Sequence, residues 1–463
     1  MPGSPYDQVI LEIANYVHST QNFSSEASRT ARLALADAIG CGMLALNFPA
    51  CTKLLGPMTA QSEGIPIPGT QYIADPITAA FNIGLMIRWL DFNDTWLAQE
   101  WGHPSDNLGG LLSVAYWKGV SVKDLLHAMV QAYEIQGILA LGNSFNKVGL
   151  DHVILVKVAS AAVCTRLMGG TKEQTCAAIS QAFIDLCPLR TYRHAPNTGT
   201  RKSWASGDAT GRGVFLAWLT LKGEMGYPSA LTAAKWGFQD AVFHGKELVL
   251  ERPLGSYVME NILFKVQYPA EFHAQTAVEA AIKLHETCAG KLDNIEKIEI
   301  ETHESALRII DKKGPLKNPA DRDHCLQYMV AIGLIHGHLE ADHYEDEAAQ
   351  NRRIDELRNK MVVTENVQYS RDYLDPSKRS IANALTLHFK NGKKSERIEV
   401  EYPLGHRHRR QEALQPLLDK FKRNLRIQFS SNQTDVIVKL FYDHEALNQI
   451  TVPELFSYLK QGE

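Results

Sequence analysis

The spacing of hydrophobic residues predicts that the first part of the chain is mainly helical. After Ser24 and Ser25, either of which can cap a helix, apolar positions recur every three or four residues. Pro76 stands where a helix can begin, because its missing N–H is not needed there. Later stretches are long enough for helices and several are apolar on most faces, as in the interior of a bundle: ITAAFNIGLMIRWL, VKDLLHAMVQAYEIQGILAL, VILVKVASAAVCTRLM and KEQTCAAISQAFIDL. The small residues of SWASGDATGRG predict close packing between helices.

The pattern changes near residue 269. IEKIEIETHE, ALTLHFK and RIEVEYP alternate apolar and polar residues, as half-buried strands do, and Asn391-Gly392 predicts a hairpin between the last two. QTAVEAAIKLHETC, DHCLQYMVAIGLIHG and the charged EDEAAQNRRIDELRNKM predict helices, and the tail after residue 404 returns to helix. We therefore predict a mainly α protein with two domains: a large helical-bundle domain, 1–268 completed by the tail 405–463, and a smaller lid-like α+β domain, 269–404.

Composition narrows the class of protein. A chain of 463 residues with 45% hydrophobic and 22% charged residues is typical of a soluble globular protein of two domains. A net charge of −4 argues against nucleic-acid binding, and no apolar run approaches the roughly 20 residues that cross a membrane. The seven cysteines are scattered without a C-x-x-C pair, which favours reduced thiols over an iron–sulfur cluster. With no recognisable targeting segment at the N-terminus, we expect a cytoplasmic protein.

The segment RWLDFNDTWLAQEWGHPSDN, residues 88–107, is the strongest candidate for chemistry. It holds the carboxylates of Asp91, Asp94 and Glu100, a histidine and three tryptophans directly after an apolar run, and burial of such acids shifts their pKa values. If the preceding helix continues, Asp91 and Thr95 share one face, and His103, extended before Pro104, turns back toward it. The alternative is that Asp91 and Asp94 brace a helix end and His103 lies in a surface turn.

Two further groups of polar residues are candidates in the helical part. Asp151 and His152 open an apolar helix, whose positive end favours a neutral imidazole. The alternative is that Asp151 caps this helix and His152 is a surface residue of its first turn. A polar loop then supplies cations and small donors that would suit a carboxylate, unless they are solvated: Arg190, Arg193, His194, Thr198, Gly199, Thr200, Arg201 and Lys202.

A fourth group lies at the predicted domain junction. Lys265 stands between Phe264 and Val266, which indicates partial burial, and Tyr268 and His273 follow closely. Tyr328 can face the same junction from the smaller domain. The alternatives are a lysine whose stem lies along apolar surface and a tyrosine of the ordinary core.

Taken together, these segments resemble the MmgE/PrpD family over essentially the whole chain. The stretches that carry the resemblance are RWLDFNDTW with EWGHPSDNLGG, NSFNKVGLDHVILVKVAS, LRTYRHAPNTGTRKSWA, GEMGYPSALTA and YPAEFHAQTAVEAA. The resemblance implies a homodimer that needs no metal or other cofactor, with its site between a helical domain and a lid-like domain. The implied activity is a hydro-lyase reaction in propionate catabolism, the elimination of water from 2-methylcitrate in the methylcitrate cycle. Side activity on citrate or cis-aconitate would accompany it.

The resemblance also assigns residues. By analogy with a family member that decarboxylates cis-aconitate, the site positions fall on Asp91, Thr95, His103, His152, Lys202, Lys265 and Tyr328. We expect catalytic roles for Asp91, His103, His152 and Tyr328, and substrate binding by Thr95, Arg201, Lys202 and Lys265. Two alternatives stay open at this point, a cis-aconitate decarboxylase and a non-catalytic protein that binds a tricarboxylate. The expected partner is a small tricarboxylate, with neither nucleic acid nor membrane.

Overall fold

A computed structural model describes residues 5–185, 187–194 and 196–461 of the chain. They form two compact units: the first comprises Met1–Ala195, Arg201–Ile262 and Leu417–Glu463, and the second comprises Pro196–Thr200 and Leu263–Pro416. The sequence-based domain boundaries, 268/269 and 404/405, stay predictions; the two units change over at 262/263 and 416/417. Within the described ranges, no helix combines the length and the apolar character needed to span a bilayer.

The first unit is helical, as its hydrophobic periodicity predicts. Its helices before the second unit are α1 Gln8–His18, α2 Ser25–Ala45, α3 Pro49–Thr52, α4 Pro76–Arg88, α5 Leu108–Lys118, α6 Val122–Gly142, α7 Val153–Leu167, α8 Lys172–Ile184, α9 Arg201–Leu221, α10 Phe238–Ala241 and α11 Tyr257–Asn261. Ser24 caps α2 by accepting a hydrogen bond from the Ala27 N–H, and Asp75 caps α4 in front of Pro76. Both helix starts are therefore confirmed.

Glycines let three of these helices approach each other closely. A Cβ atom added to Gly84 of α4 would lie 2.9 Å from Cα of Gly207 in α9, and one added to Gly109 of α5 would lie 2.8 Å from the Gly84 nitrogen. Real Cβ atoms do not tolerate such distances, so only glycine fits at these crossings. The close packing predicted from SWASGDATGRG is confirmed at Gly207.

Two short ladders interrupt the helices of the first unit. Strand β1, Ile65–Pro66, pairs with β2, Ile73–Ala74, and β3, Trp96–Leu97, pairs with β4, Trp101–Gly102. The second pair shows that the helix before it ends earlier than predicted: α4 stops at Arg88, and Asp91 adopts a left-handed φ of 51°. The expectation that Asp91 and Thr95 share a helix face was therefore wrong, because the chain has left the helix and entered a hairpin.

The second unit combines helices with a four-stranded sheet. Its helices are α12 Gln275–Cys288, α13 Glu304–Ile310, α14 Pro319–Arg322, α15 Leu326–His336, α16 Arg352–Arg358 and α17 Val367–Leu374. Helix α18, Arg410–Leu425, crosses the unit boundary at 416/417, and the last helices belong to the first unit: α19 Ser431–Tyr442, α20 His444–Gln449 and α21 Val452–Tyr458. The strands are β5 Ile295–Thr302, β6 Met361–Glu365, β7 Asn383–Phe389 and β8 Ile398–Val400, in the order β6-β5-β7-β8. Pairs β5–β7 and β7–β8 are antiparallel, whereas β5–β6 is parallel. The predicted hairpin is confirmed, and its turn places Gly392 at a φ of 78°.

One prediction for the second unit was wrong. The charged segment 345–361 was expected to be a single surface helix, but only Arg352–Arg358 is α-helical, and β6 begins at Met361. Burial explains the difference, because Ile354 and Leu357 belong to the apolar core of this unit and Met361 and Val363 pack against it.

Candidate active site

A tight hairpin brings the predicted residues of segment 88–107 together. Trp96 pairs with Gly102 and Leu97 with Trp101, so the next residues outward, Thr95 and His103, face each other. Their side chains meet, with 3.4 Å between the threonine Oγ1 and the histidine Nδ1. His103 is extended, with φ −128° and ψ 95°, as expected before proline.

A buried network joins His103 to the end of α4. The Arg88 guanidinium donates to Oδ1 of Asp91 at 2.6 Å and contacts Nε2 of His103 at 2.9 Å. Nδ1 of His103 lies 2.7 Å from the carbonyl oxygen of Asp94, and Asp91 Oδ1 lies 3.6 Å from the histidine Nε2. Arg88, Asp91 and His103 are all buried. The alternative of a surface turn at His103 is therefore wrong.

Two further buried carboxyl groups, those of Asp94 and Asp106, adjoin this network. Burial raises the pKa of Asp94 to about 6, against the hydrogen bonds that its carboxylate accepts from Tyr133 and Ser105. Burial likewise raises the pKa of Asp106 to about 7, and the Arg88 charge opposes that rise. Acids that titrate near neutrality are typical of sites where protons are moved, although buried structural pairs show the same behaviour.

Asp151 and His152 precede α7, and Asp151 binds two cations of the neighbouring loop. Asp151 accepts hydrogen bonds from Arg193 through both carboxylate oxygens, and Arg190 lies 3.5 Å away. Burial alone would raise the pKa of Asp151, but Arg193, His152 and Arg190 hold it well below its usual range. The two arginines are thus buried braces of Asp151, which corrects the interpretation of them as part of an open carboxylate cradle.

His152 is held neutral by its surroundings. Burial lowers the pKa of its imidazole well below the usual range; Asp151 opposes this, and Arg193, Arg190 and Arg88 add to it. The ring is 2% exposed, and neither of its nitrogens makes a hydrogen bond within the described residues. The alternative in which His152 is a first-turn surface residue is therefore wrong.

The two histidines predicted for catalysis are neighbours. The ring centroids of His103 and His152 are 5.8 Å apart in an edge-to-face arrangement, and Asp151 Oδ1 lies 3.4 Å from Nδ1 of His152. Two imidazoles from different elements, each with a carboxylate within 4 Å, make a suitable pair for general acid–base chemistry.

The two candidate cations at the start of α9, Arg201 and Lys202, lie in different surroundings. Lys202 is buried in the first turn of α9, whereas Arg201 pairs with Asp208 at 3.1 Å and stacks on Trp204. Arg201 lines a cavity of about 280 Å³ with Lys157, Asp185 and Arg212, and its side chain is 42% exposed. These contacts do not favour the predicted role of Arg201 in binding substrate beside the histidines.

The remaining candidates belong to the second unit. Segment 196–200 is part of it, and the Thr198 carbonyl accepts a hydrogen bond from Asn318 at 3.1 Å. Lys265 is fully buried, and the Tyr328 hydroxyl donates to the His343 carbonyl at 2.7 Å. Burial raises the pKa of Tyr328 to about 12. Catalytic and binding roles for Lys265 and Tyr328 stay predictions.

The neighbouring His273 has a clear structural role. Its imidazole is fully buried between Glu271 and the hydroxyl of Tyr373, at 2.7 Å and 3.1 Å. His273 is thus a hydrogen-bonded core residue of the second unit.

Sequence reasoning missed three members of the buried network. These are Arg88, Asp106 and Tyr133, none of which was singled out from the sequence. A signal for Arg88 was nevertheless present, because an arginine three residues before an aspartate at the end of an apolar run has no solvent to face and needs that partner.

Within the described ranges, no group of three or more His, Cys, Asp or Glu side chains is arranged to hold a metal ion. Independence from metals stays a prediction.

Comparison with known proteins adds evidence over the full length. Residues 11–251 match the model of the MmgE/PrpD N-terminal domain, and residues 268–444 match that of the MmgE/PrpD C-terminal domain. The chain is 56% identical to the 2-methylcitrate dehydratase of Escherichia coli (strain K12), over 97% of this chain and 96% of that protein. It is 56% identical to the mitochondrial 2-methylcitrate dehydratase of Yarrowia lipolytica, over 93% and 86%. It is also 54% identical to the 2-methylcitrate dehydratase of Cupriavidus necator, over 97% and 96%.

Proposed function

Because this chain belongs to the MmgE/PrpD family, we propose that it is a hydro-lyase that converts 2-methylcitrate into 2-methyl-cis-aconitate and water. The observation that carries the proposal is the identity of 54–56% to 2-methylcitrate dehydratases over almost the whole chain. The buried histidine pair supports it from the side of chemistry. This reaction would serve the breakdown of propionate through the methylcitrate cycle.

The reaction makes two demands on the site. A proton must leave a carbon next to a carboxylate, and a tertiary hydroxyl must leave the neighbouring carbon. The carbon acid is weak because its carboxylate is already charged, and hydroxide leaves poorly unless it is protonated. One group must therefore act as base and another as acid, each contributing about 10²–10⁴-fold.

We assign the base to His103 and the acid to His152. Nε2 of His103 faces the Arg88 guanidinium, which can only donate, and therefore carries a lone pair that suits it to take the carbon-bound proton. His152 is neutral without substrate, because burial and nearby guanidinium groups disfavour its cationic form. A trianionic substrate would offset those guanidinium charges and, with Asp151, favour protonation of His152.

Asp91 and Thr95 would orient the base. Asp91 lies 3.6 Å from Nε2 of His103 and would stabilise the imidazolium that forms there. Thr95 contacts the opposite nitrogen. Lys202 is the cation of α9 that we expect to stabilise the charge growing on the substrate carboxylate.

The test is product analysis with purified, chelator-treated protein. We expect 2-methylcitrate to yield a conjugated alkene that absorbs in the ultraviolet, without release of CO₂. Citrate should react more slowly, since one methyl group is worth about 1–3 kcal/mol of discrimination. Release of CO₂ from cis-aconitate with no reaction of 2-methylcitrate would overturn the proposal in favour of a decarboxylase. Activity that returns only on adding a metal would overturn metal independence.

We also propose that the chain forms a homodimer through the outer face of α9. Trp218 on this face is 37% exposed, and Leu189 and Met58, which each line a cavity with Asp208 and Arg212 of the same helix, are 64% and 100% exposed. Asp208 and Arg212 on this face are already paired with Arg201 and Asp185 of the same chain, so burial of the apolar side chains would drive the contact between two copies related by a two-fold axis. Trp218→Lys should shift the mass in solution from dimer to monomer; a wild-type monomer would contradict this.

A cytoplasmic location remains part of the proposal. The seven cysteines are free thiols, as in a reducing compartment. Fractionation of the native host, with the protein followed by antibody, would test it, and recovery in a membrane or secreted fraction would contradict it.

A further inference from the structure

The guanidinium of Arg88 lies between the carboxylate of Asp91 and the imidazole of His103, the proposed base. It donates to Oδ1 of Asp91 at 2.6 Å and approaches Nε2 of His103 at 2.9 Å. Arg88 is 2% exposed and Asp91 is 1% exposed, so water does not compete for these contacts. The resemblance to the family did not single out this arginine.

The contact with Arg88 decides which histidine nitrogen carries the proton. A guanidinium has only N–H donors and accepts nothing, so Nε2 of His103 must be the acceptor. The other nitrogen, Nδ1, lies 2.7 Å from the Asp94 carbonyl oxygen, which can only accept, so Nδ1 carries the hydrogen. Both contacts require the neutral imidazole with its proton on Nδ1.

We propose that Arg88 is a positioning residue that keeps His103 neutral and protonated on Nδ1, so that Nε2 is ready to act as the base. This inference rests on the proposed dehydration. A substrate carboxylate that draws the guanidinium toward itself uncovers the Nε2 lone pair only when a substrate is present.

The proton balance of the step follows. Nε2 of His103 takes the proton from carbon, the electron pair of the C–H bond forms the double bond, and the C–O bond breaks. The departing hydroxide takes its proton from His152, which we infer takes up a proton from solvent when the trianionic substrate binds, so water leaves and the positive charge has moved from His152 to His103.

The groups around His103 set the direction of the expected effect. Protonation of its ring is favoured by carboxylates and disfavoured by cations. The groups in contact with His103 are Arg88, Asp91, the carbonyl oxygen of Asp94 and the ring of His152. Asp106 contacts Arg88, Asp151 contacts His152, and Arg190 and Arg193 contact Asp151. Removing Arg88 deletes a donor to Nε2 and leaves Asp91 without that cation, so both changes raise the pKa of His103.

The experiment compares the wild type with Arg88→Met and Arg88→Lys. We expect the acidic limb of the kcat/KM profile to move up by about one pH unit or more in Arg88→Met, because an unprotonated base is then present only at higher pH. The loss of kcat/KM should accordingly be larger at pH 6 than at pH 8, by about tenfold. Arg88→Lys keeps the positive charge but lacks the planar guanidinium that can donate to Asp91 and His103 at once. Its shift of the acidic limb should therefore be smaller.

A second readout does not depend on turnover. Nitrogen-15 spectra of histidine-labelled protein, with the His103 signals identified by their loss in His103→Asn, should show a protonated Nδ1 and an unprotonated Nε2 in the wild type at neutral pH. The same signals in Arg88→Met should titrate at higher pH. This measurement separates the inference from the proposed function, because it stands even if 2-methylcitrate is not turned over.

Arg166→Met is the control, since Arg166 is a partly buried arginine near the far end of α7. It should lower the melting temperature and leave the pH profile in place. An unchanged profile and unchanged His103 signals in folded Arg88→Lys and Arg88→Met would show that Arg88 only stabilises the fold, and would overturn the inference. If Arg88→Met does not fold, the same two readouts on Arg88→Lys decide.

Discussion

At the scale of single residues, buried pairs of opposite charge define the candidate site. Arg88 with Asp91, and Arg193 with Asp151, are ion pairs from which water is excluded. Breaking a buried pair by removing one partner costs about 3–5 kcal/mol, because it leaves the other charge unpaired. Substitutions here therefore have to be read with stability measured alongside activity.

Asp106 gives a prediction that separates stability from catalysis. Burial raises its pKa to about 7, well above the usual range of an aspartate, so the folded state keeps a proton that the unfolded chain releases above about pH 4. Stability is thereby lost progressively as the pH rises from about 4 to 7, at about 1.4 kcal/mol per unit of pKa difference. Asp106→Asn should therefore gain stability relative to the wild type at pH 8 compared with pH 5, measured as denaturant midpoints.

The exposed Asp293 is the control for this measurement. Asp293→Asn changes the same functional group in solvent and should show no such trend. Equal effects of Asp106→Asn at both pH values would contradict a raised pKa for Asp106.

The sequence predicted residue identities better than residue partners. Asp91, Thr95, His103 and His152 were predicted to act together, and the structure brings the two histidine rings within 5.8 Å. Arg88 was not singled out, because one sequence does not reveal that the helix end is covered on all sides. Arg201 was included with Lys202, yet neighbouring helix positions point about 100° apart, and Arg201 pairs with Asp208.

Glycine contacts hold the helices together at the scale of elements. Gly109 of α5 lies against the backbone of α4, where an added Cβ would meet the Ala80 carbonyl and lie 2.8 Å from the Gly84 nitrogen. We expect Gly109→Ala to lower the free energy of unfolding by about 1–3 kcal/mol or more, because backbone atoms cannot move aside as side chains do. Chemical denaturation measures this directly.

Gly255 provides the comparison. A Cβ at Gly255 would meet nothing within 4 Å, so Gly255→Ala should leave stability almost unchanged. Equal stability of Gly109→Ala and Gly255→Ala would contradict the close packing of α4 against α5.

Periodicity predicted long elements and failed at short ones. The helix predicted over QTAVEAAIKLHETC is observed from Gln275 to Cys288, because a whole apolar face is repeated along it. The hairpin at Trp96–Gly102 has two residues in each strand, too few for alternation to be visible. Strand β6 was missed for a different reason: it pairs in parallel with β5, as in Ile298 with Met361, and local sequence does not record a pairing over such a separation.

At the scale of the whole molecule, the proposed site residues are distributed unevenly between the two units. The described first unit contains both histidines and the buried arginines around them, whereas Lys265 and Tyr328 belong to the second. The two-part organisation was predictable from the change of pattern near residue 269. The reassignment of residues 196–200 to the second unit was not, because the chain leaves the first unit for only five residues.

The central claim is that His103 and His152 together remove water from 2-methylcitrate, and solvent deuterium tests it most directly. In D₂O at equilibrium, the wild type should return 2-methylcitrate with one deuterium on the carbon that loses its proton, together with the conjugated alkene. Folded His103→Asn and His152→Asn should give neither at a comparable rate. Exchange and alkene formation at the wild-type rate in both variants would contradict the account.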